Sequence, residues 1–174
     1  MKIKFKQDRE TILKILESAS IMRKLRVLDK LNGVNEKDSI KILLKVLEDN
    51  SWCLREKAAY KLVQYGKKVV PRLNRLLKRG YWFTRAAACI TLGEIGDIKA
   101  LNAVITLLLN DENPTVIKEA KTALIKIAEK NPDEFSIAVQ EMEIEKDMLA
   151  RILLIIEQNA PELYRQIKLK ISNE

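Results

Sequence analysis

The strongest constraint on the fold is a sequence pattern that recurs about every 31 residues. The segment at 54–66 returns at 84–96 and again at 116–128, with weaker copies near 23–35 and 147–158. Self-similarity at a fixed period of this length is the signature of a repeat architecture. The three clear copies, and one weaker copy, share a small residue followed four positions later by leucine: Ala58 and Leu62, Ala88 and Leu92, Ala120 and Leu124, Ala150 and Leu154.

Each repeat also contains a second apolar segment ahead of this one, at 40–47, 69–77 and 100–109. Apolar residues spaced by three and four positions predict amphipathic helices, and short polar turns separate the two segments of each repeat. Gly66 and Gly96 fall where a helix is expected to end in a left-handed residue. Pro71, Pro132 and Pro161 fall where a first helical turn tolerates proline. We therefore expect stacked helical hairpins, with the small residues at 58, 88, 120 and 150 allowing neighbouring second helices to approach closely.

The pattern resembles the HEAT-like repeat family, in the short form also found in phycobilisome-lyase-type proteins. The resemblance rests on Leu-Arg-x-x-Ala-Ala-x-x-Leu at 54–62, Arg-x-x-Ala-Cys-x-x-Leu-Gly-x-x-Gly-Asp at 85–97, and aspartates in the turns before the second helices. It covers roughly residues 10–160. It implies an all-α, right-handed α-solenoid that forms one domain over residues 1–174. We expect five hairpins at about 8–35, 37–66, 67–97, 98–130 and 132–158, and a capping helix at 161–171.

The resemblance also implies a ladder, in which a turn aspartate pairs with an arginine at the start of a second helix. By this likeness Asp49 pairs with Arg55, and Asp111 pairs with Arg85. The sequence departs from the family pattern at Arg79, which stands where the third repeat should have its aspartate, and at Ile117, which stands where the fourth should have its arginine. We interpret Arg79 as a surface residue.

Catalysis and metal binding are constrained by one absence, because the chain of 174 residues contains no histidine. This excludes Ser-His-Asp and Cys-His machinery and imidazole metal ligands. Cys53 and Cys89 form no CxxC pair, and both are expected to be small buried or half-buried hydrophobes. We predict no catalytic residue, no metal and no cofactor. Resemblance alone raises two enzyme alternatives, a phycobilin-lyase type and a DNA glycosylase type. The latter rests on an aromatic-Trp-x-x-Arg turn similar to Tyr81–Arg85, without a positioned aspartate nearby.

The net charge of +8 is distributed unevenly, since residues 57–93 hold nine basic side chains and no acidic one. Helical spacing places Lys68, Arg72, Arg75 and Arg79 within about 60° of one another, and Lys57 and Lys61 form an i, i+4 pair. Two interpretations stay open: a surface for an anionic partner, or a solvated basic face.

The tryptophans Trp52 and Trp82 occupy equivalent turns, and Tyr81 precedes the second of them. They serve either as wedges between hairpins or as an aromatic anchor for a partner.

The function that these features favour is a non-catalytic scaffold that binds a macromolecule, most readily a protein, through a basic and aromatic band at 52–85. The alternative is a nucleic-acid-binding module using the same band. We expect a cytoplasmic protein, because apolar runs such as 152–156 are far shorter than a membrane span. High Lys, Glu and Ile usage with few Gln resembles the composition of proteins from hot-growing sources. The predicted contact residues are Trp52, Lys57, Lys61, Lys68, Arg72, Arg75, Arg79, Tyr81 and Trp82.

Overall fold

The computed structural model describes residues 9–142 and 145–171, and this part of the chain forms eleven α-helices and no β-strand. The chain divides into two compact units, Met1–Val69 and Val70–Glu174. The prediction of an all-α fold built from helical hairpins is confirmed. Each predicted hairpin range overlaps two of the described helices, and residues 8, 143 and 144 of these ranges lie outside the described residues. The extent of the single domain and the handedness of the stack stay predictions.

The first unit contains two helical hairpins. Its helices are α1 (Arg9–Ser18), α2 (Ile21–Asp29), α3 (Glu36–Val46) and α4 (Trp52–Val63), with 3₁₀ turns at Leu31–Gly33 and Gly66–Val69. Asn35 starts α3 by accepting a hydrogen bond from the main-chain N–H of Asp38 at 3.0 Å, as expected of an N-cap side chain. Helix α3 packs against α1 and α4, and α2 packs against α4. Leucines fill the space between them, among them Leu28, Leu43, Leu54 and Leu62.

The second unit contains the remaining helices of the described chain. They are α5 (Val70–Arg79), α6 (Trp82–Ile95), α7 (Leu101–Asn110), α8 (Pro114–Lys130), α9 (Pro132–Glu141), α10 (Lys146–Asn159) and α11 (Pro161–Ile171). Pro114, Pro132 and Pro161 each open a helix, where the missing N–H would have no intrahelical partner. Helix α5 packs against α6 and α7, while α11 packs against α9 and α10.

Helices α6 and α8 pack against each other along small residues of the repeat. Ala88 and Ala120 are fully buried. At Gly93 the backbones come so close that an added Cβ would lie 2.8 Å from the Cα of Ala123. Gly96 then ends α6 with a φ of +68°, which glycine adopts without a steric penalty. Small residues therefore set the spacing of α6 and α8.

Three sequence predictions are wrong in detail. Ala150 is exposed, because α10 buries Ile152 and Ile156 and so turns a different face inward, two residues out of register with the repeat. Lys68 lies in the 3₁₀ turn before α5, not on the helix that carries Arg72. Cys53 is exposed, whereas Cys89 is buried. Burial and the carboxylates of Glu119 and Asp111 raise the pKa of the Cys89 thiol, so the thiol stays protonated.

Candidate partner-binding site

An aromatic cluster projects from the turn between α5 and α6 in the second unit. The side chains of Tyr81 and Trp82 are 70% and 46% exposed. Phe83 is half-buried and lies between them: its ring stacks on Tyr81 at a centroid distance of 5.4 Å and meets Trp82 edge-on at 5.6 Å. We call Tyr81, Trp82 and Phe83 the aromatic turn. The role of Trp82, as a wedge between hairpins or as an anchor for a partner, stays a prediction.

The aromatic turn borders a surface depression of about 750 Å³. One side is formed by Gly80, Tyr81 and Trp82, and the other by the turn between α7 and α8. That second turn contributes Asp111 and Glu112, so acidic residues do lie beside the aromatic turn, contrary to the sequence interpretation. The remaining lining residues are Arg85, Asn110, Asn113 and Pro114.

Arg85 and Asp111 form the best-defined ion pair near this depression. Arg85 donates from Nε to Asp111 Oδ2 at 2.6 Å and from Nη2 to Asp111 Oδ1 at 2.9 Å, and its Nη1 donates to the main-chain carbonyl of Gly80 at 2.9 Å. Planar, two-point pairing of this kind is specific to arginine. The geometry matches the ladder that the family likeness implies, with the arginine of one hairpin holding the turn aspartate of the next.

The environment of Asp111 keeps its carboxyl group ionised. Burial alone would raise the pKa of this group, but hydrogen bonds from Arg85 and from the main-chain N–H groups of Asn113 and Glu112, together with the charge of Arg85, outweigh it. The pKa of Asp111 therefore lies below its ordinary value. Because both carboxylate oxygens are engaged by Arg85, Asp111 is committed to holding the turn.

Helix α5 carries four cations of the basic run at 57–93. Arg75, Lys78 and Arg79 are exposed and Arg72 is half-buried, and none of the four makes an ion pair within residues 9–142 and 145–171. Lys78 and Arg79 lie in the last turn, where positive charge also stabilises the helix dipole. Helix α5 therefore presents a positive surface in the second unit.

The first unit brings Trp52, Arg55 and Asp49 together. The guanidinium of Arg55 lies 5.7 Å from the ring centroid of Trp52, and its Nη1 donates to the main-chain carbonyl of Asp49 at 2.7 Å. The carboxylate of Asp49 accepts from Lys24 Nζ at 3.0 Å. The predicted pair of Asp49 and Arg55 thus takes the form of a backbone contact, and Lys24 supplies an ion-pair partner that the sequence interpretation missed. Trp52 is 45% exposed.

The predicted lysine contacts of the first unit are partly neutralised. Lys57 pairs with Asp29 at 2.6 Å, and Lys68 pairs with Glu36 at 2.8 Å. Lys61 is half-buried and makes no ion pair with any residue that the structure describes. Carboxylates from outside the run therefore reduce the positive charge that a count along the sequence suggests. The predicted band at 52–85 is divided between the two units.

Comparison with family models places this architecture among known repeats. A model of HEAT repeats matches residues 41–125 and 69–141, which together span more than half of the chain. The chain belongs to the HEAT-repeat family. No curated protein sequence matches it at a significant level.

Membership of the HEAT family gives the paired residues a common explanation. In both units the cation of one hairpin holds the aspartate of the next, at a sequence distance of 25 residues for Lys24 and Asp49 and 26 for Arg85 and Asp111. The sequence places a cation 25 or 26 residues before each turn aspartate, namely Arg23 or Lys24 for Asp49 and Arg85 for Asp111.

Phe83 and Glu112 are the other residues near this site that the sequence interpretation did not assign. The contacts of Phe83 with Tyr81 and Trp82 follow only from the turn geometry, which the sequence does not specify. Glu112 follows the turn aspartate directly, so its place in the depression follows from the ladder.

Two further observations bear on other classes of site in this HEAT protein. Within the described residues no group of three or more Cys, Asp or Glu side chains is placed to hold a metal ion. Likewise, none of the described helices is both long enough and apolar enough to cross a membrane. The cytoplasmic location stays a prediction.

Proposed function

We propose that this HEAT-repeat protein is a non-catalytic scaffold that binds a protein partner, with the aromatic turn of the second unit as an anchor. The observation that carries the proposal is the exposure of Tyr81 and Trp82 beside a depression of about 750 Å³. Large aromatic side chains are enriched among the residues that dominate protein interfaces, because they bury much apolar area with few rotatable bonds. HEAT repeats are commonly protein-interaction scaffolds.

The arrangement around the aromatic turn supports this role. Phe83 fixes the orientation of both exposed rings, so a partner would not need to order them on binding. The pair of Arg85 and Asp111 fixes the opposite wall of the depression. A rigid, partly apolar surface with polar groups at its rim has the composition of a protein interface. Trp52 and Lys61 in the first unit are proposed as additional contacts.

The non-catalytic part of the proposal rests on the residues that are available. The chain has no histidine, and Asp111, a carboxylate beside the aromatic turn, is held by Arg85. None of the side chains that line the depression is a histidine or a cysteine, the residue types that most often act as base or nucleophile near neutral pH.

Site-specific cross-linking tests the anchor. A photo-reactive benzoylphenylalanine replaces Tyr81 in the full chain, and the same residue replaces exposed Ile137 on α9 as the matched control. In extract from the source organism we expect one defined protein to be linked from position 81, even in high salt, and not from position 137. Trp82→Ala should reduce this product about tenfold or more. Equal products from both positions, or no change in Trp82→Ala, would contradict the proposal.

A second candidate, binding of nucleic acid, is favoured by the positive surface of α5. Such binding would weaken steeply as salt rises, because each phosphate contact releases counterions. Reversing the charges of Lys57, Lys61, Arg72 and Arg75 together should abolish it. Absence of affinity for duplex or single strands at about 50 mM salt would remove this candidate.

A further inference from the structure

Helices α5 and α7 lie side by side in the second unit and enclose a narrow groove of about 270 Å³. Its floor is apolar and is formed by Leu77 of α5 with Ala103 and Leu107 of α7. Leu77 is buried, whereas Ala103 and Leu107 are half-buried and therefore reachable from outside. The rim consists of polar residues: Lys78, Arg85, Thr106, Asn110 and Asp111.

Positive charge predominates on the two helices that form this groove. Helix α5, the 3₁₀ turn Ile98–Ala100 and α7 contain no acidic residue. They contribute the cations Arg72, Arg75, Lys78, Arg79 and Lys99. Asp111, the one acidic residue that lines the groove, is neutralised by its two hydrogen bonds with Arg85. An occupant of the groove therefore meets net positive charge.

The α7 side of the groove carries no charge, and its polar side chains form hydrogen bonds within the helix. Thr106 Oγ1 donates to the main-chain carbonyl of Asn102 at 2.8 Å, and Asn110 Nδ2 donates to that of Thr106 at 2.8 Å. Asn74 Nδ2 of α5 donates to the carbonyl of Lys99 at 3.2 Å and so ties α5 to the turn before α7. The two walls are therefore held in a fixed relation before any partner binds.

Helical geometry ranks the cations by their distance from the groove. Lys78 lines it directly. With about 100° per residue, Arg75 lies about 60° further around α5, and Arg72 about 120° further, on the opposite flank of the exposed face. The affinity of an occupant of the groove should therefore depend most on Lys78, less on Arg75 and least on Arg72.

We propose that the groove between α5 and α7 binds an acidic amphipathic segment of a protein partner. Aliphatic side chains of the segment enter between Leu77, Ala103 and Leu107, and its carboxylates meet Lys78 and Arg75. This deepens the proposed scaffold function, on which it rests, by giving the chemistry of one part of the partner. The combination of an apolar floor and a positive rim favours such a segment over nucleic acid, whose backbone offers charge without aliphatic side chains.

Fluorescence anisotropy with designed peptides tests the groove. The probe is a labelled peptide of about 14 residues, with leucines at helical spacing and Glu or Asp elsewhere. Two matched peptides replace every Leu by Ser or every acidic residue by its amide. We expect the intact full-length chain to bind the probe at least about tenfold more tightly than either matched peptide, because both the floor and the rim contribute.

Variants of the full-length protein locate the contact. Lys78→Glu should weaken binding of the probe about tenfold, and Ala103→Leu, which fills the groove with an apolar side chain, should weaken it by a similar factor. Arg72→Glu is the matched control, since it makes the same change of charge on the far flank of α5, and should weaken binding less than about threefold. Circular dichroism of each variant checks that the helices are retained.

Three outcomes would overturn the inference. One is a failure of the probe to bind. Another is equal binding of the probe and its Ser-substituted counterpart. The third is tighter binding of a DNA strand of about 20 nucleotides with equal losses from Lys78→Glu and Arg72→Glu, which would assign the surface to nucleic acid. If cross-linking from position 81 captures a partner while the probe fails, the scaffold proposal stands and this inference alone is wrong.

Discussion

The aspartate turns of the two units use the same chemistry with different strength. Asp49 accepts from the main-chain N–H of Ser51 at 2.8 Å, and Asp111 accepts from that of Asn113 at 2.9 Å. Lys24 holds the first carboxylate through one contact at 3.0 Å, whereas Arg85 holds the second through two. The side chain of Asp49 is 19% exposed and that of Asp111 only 4%. One position in the HEAT repeat thus yields a partly solvated contact in one unit and a nearly dry one in the other.

This difference follows from the cation that each repeat supplies. A guanidinium is planar and can serve both carboxylate oxygens and a carbonyl at once, as Arg85 does with Asp111 and Gly80. An ammonium group is a compact charge that water also solvates well. The ladder tolerates either cation, but only arginine fixes the turn in two directions.

Removing the aspartates should give the largest difference between the two units. Asp111→Ala leaves the guanidinium of Arg85 without its carboxylate in a partly buried place, and should lower the free energy of unfolding by about 2–3 kcal/mol. Asp49→Ala should lower it by about 1–2 kcal/mol, because water replaces part of what is lost. Urea denaturation of both variants measures the difference. An equal or larger loss from Asp49→Ala would contradict the comparison.

Exchanging the cations should make the stability that each aspartate turn contributes more similar to that of the other. Arg85→Lys keeps the charge but loses two-point pairing and the bond to Gly80, so we expect a loss of about 1–2 kcal/mol. Lys24→Arg should change stability by less than about 1 kcal/mol, since the Asp49 turn is more solvated. Thermal unfolding followed by circular dichroism provides the measurement. A greater loss from Lys24→Arg than from Arg85→Lys would refute the assigned roles.

Acidification should weaken the Asp111 turn. A carboxylate whose pKa is lowered in the folded state contributes stability that is fully present above its unfolded pKa, about 4, and is lost as the pH falls through the folded value. The stability difference between the wild type and Asp111→Asn should therefore shrink between about pH 5 and pH 2. Urea titrations across this range measure it. A difference that is constant or grows toward low pH would show that ionised Asp111 contributes nothing.

Exposed ion pairs should show the smallest effects. Lys68 and Glu36 are both exposed, so Lys68→Ala should lower the free energy of unfolding by no more than about 0.5 kcal/mol. Lys57→Ala, whose pair with Asp29 is more sheltered on the lysine side, should cost up to about 1 kcal/mol. Measurements of the free energy of unfolding at low and high salt separate the electrostatic contribution of each pair from its packing contribution. Losses comparable to that of Asp111→Ala would overturn the ranking of the contacts.

Local rules were enough to predict the helices, since proline positions and Gly96 mark helix ends through backbone geometry that depends only on neighbouring residues. The pair of Arg85 and Asp111 was instead implied by the resemblance to HEAT-like repeats. Such local signals occur in several hairpins, as at Gly66, Gly96, Pro114 and Pro132. The family match at 41–141 covers the same central repeats.

Contacts that depend on tertiary packing were not predictable in this way. Lys57 meets Asp29, and Lys68 meets Glu36, across 28 and 32 residues, and nothing in the local sequence specifies these partners. The repeat pattern also failed to predict the register of α10. It predicts that Ala150 and Leu154 face the core, whereas α10 buries Ile152 and Ile156. The end of a repeat array has fewer neighbours to enforce the register.

The pair of Arg85 and Asp111 also bears on how the second unit loses its structure. In repeat proteins, stability is divided between single repeats and the interfaces that join them, and the interfaces determine whether neighbours melt together. Arg85 belongs to the hairpin of α5 and α6, and Asp111 to the hairpin of α7 and α8, so this ion pair is an interface contribution. Weakening it should broaden the thermal transition as well as lower its midpoint. The ion pair that forms part of the depression beside the aromatic turn therefore also contributes to the cooperativity of unfolding.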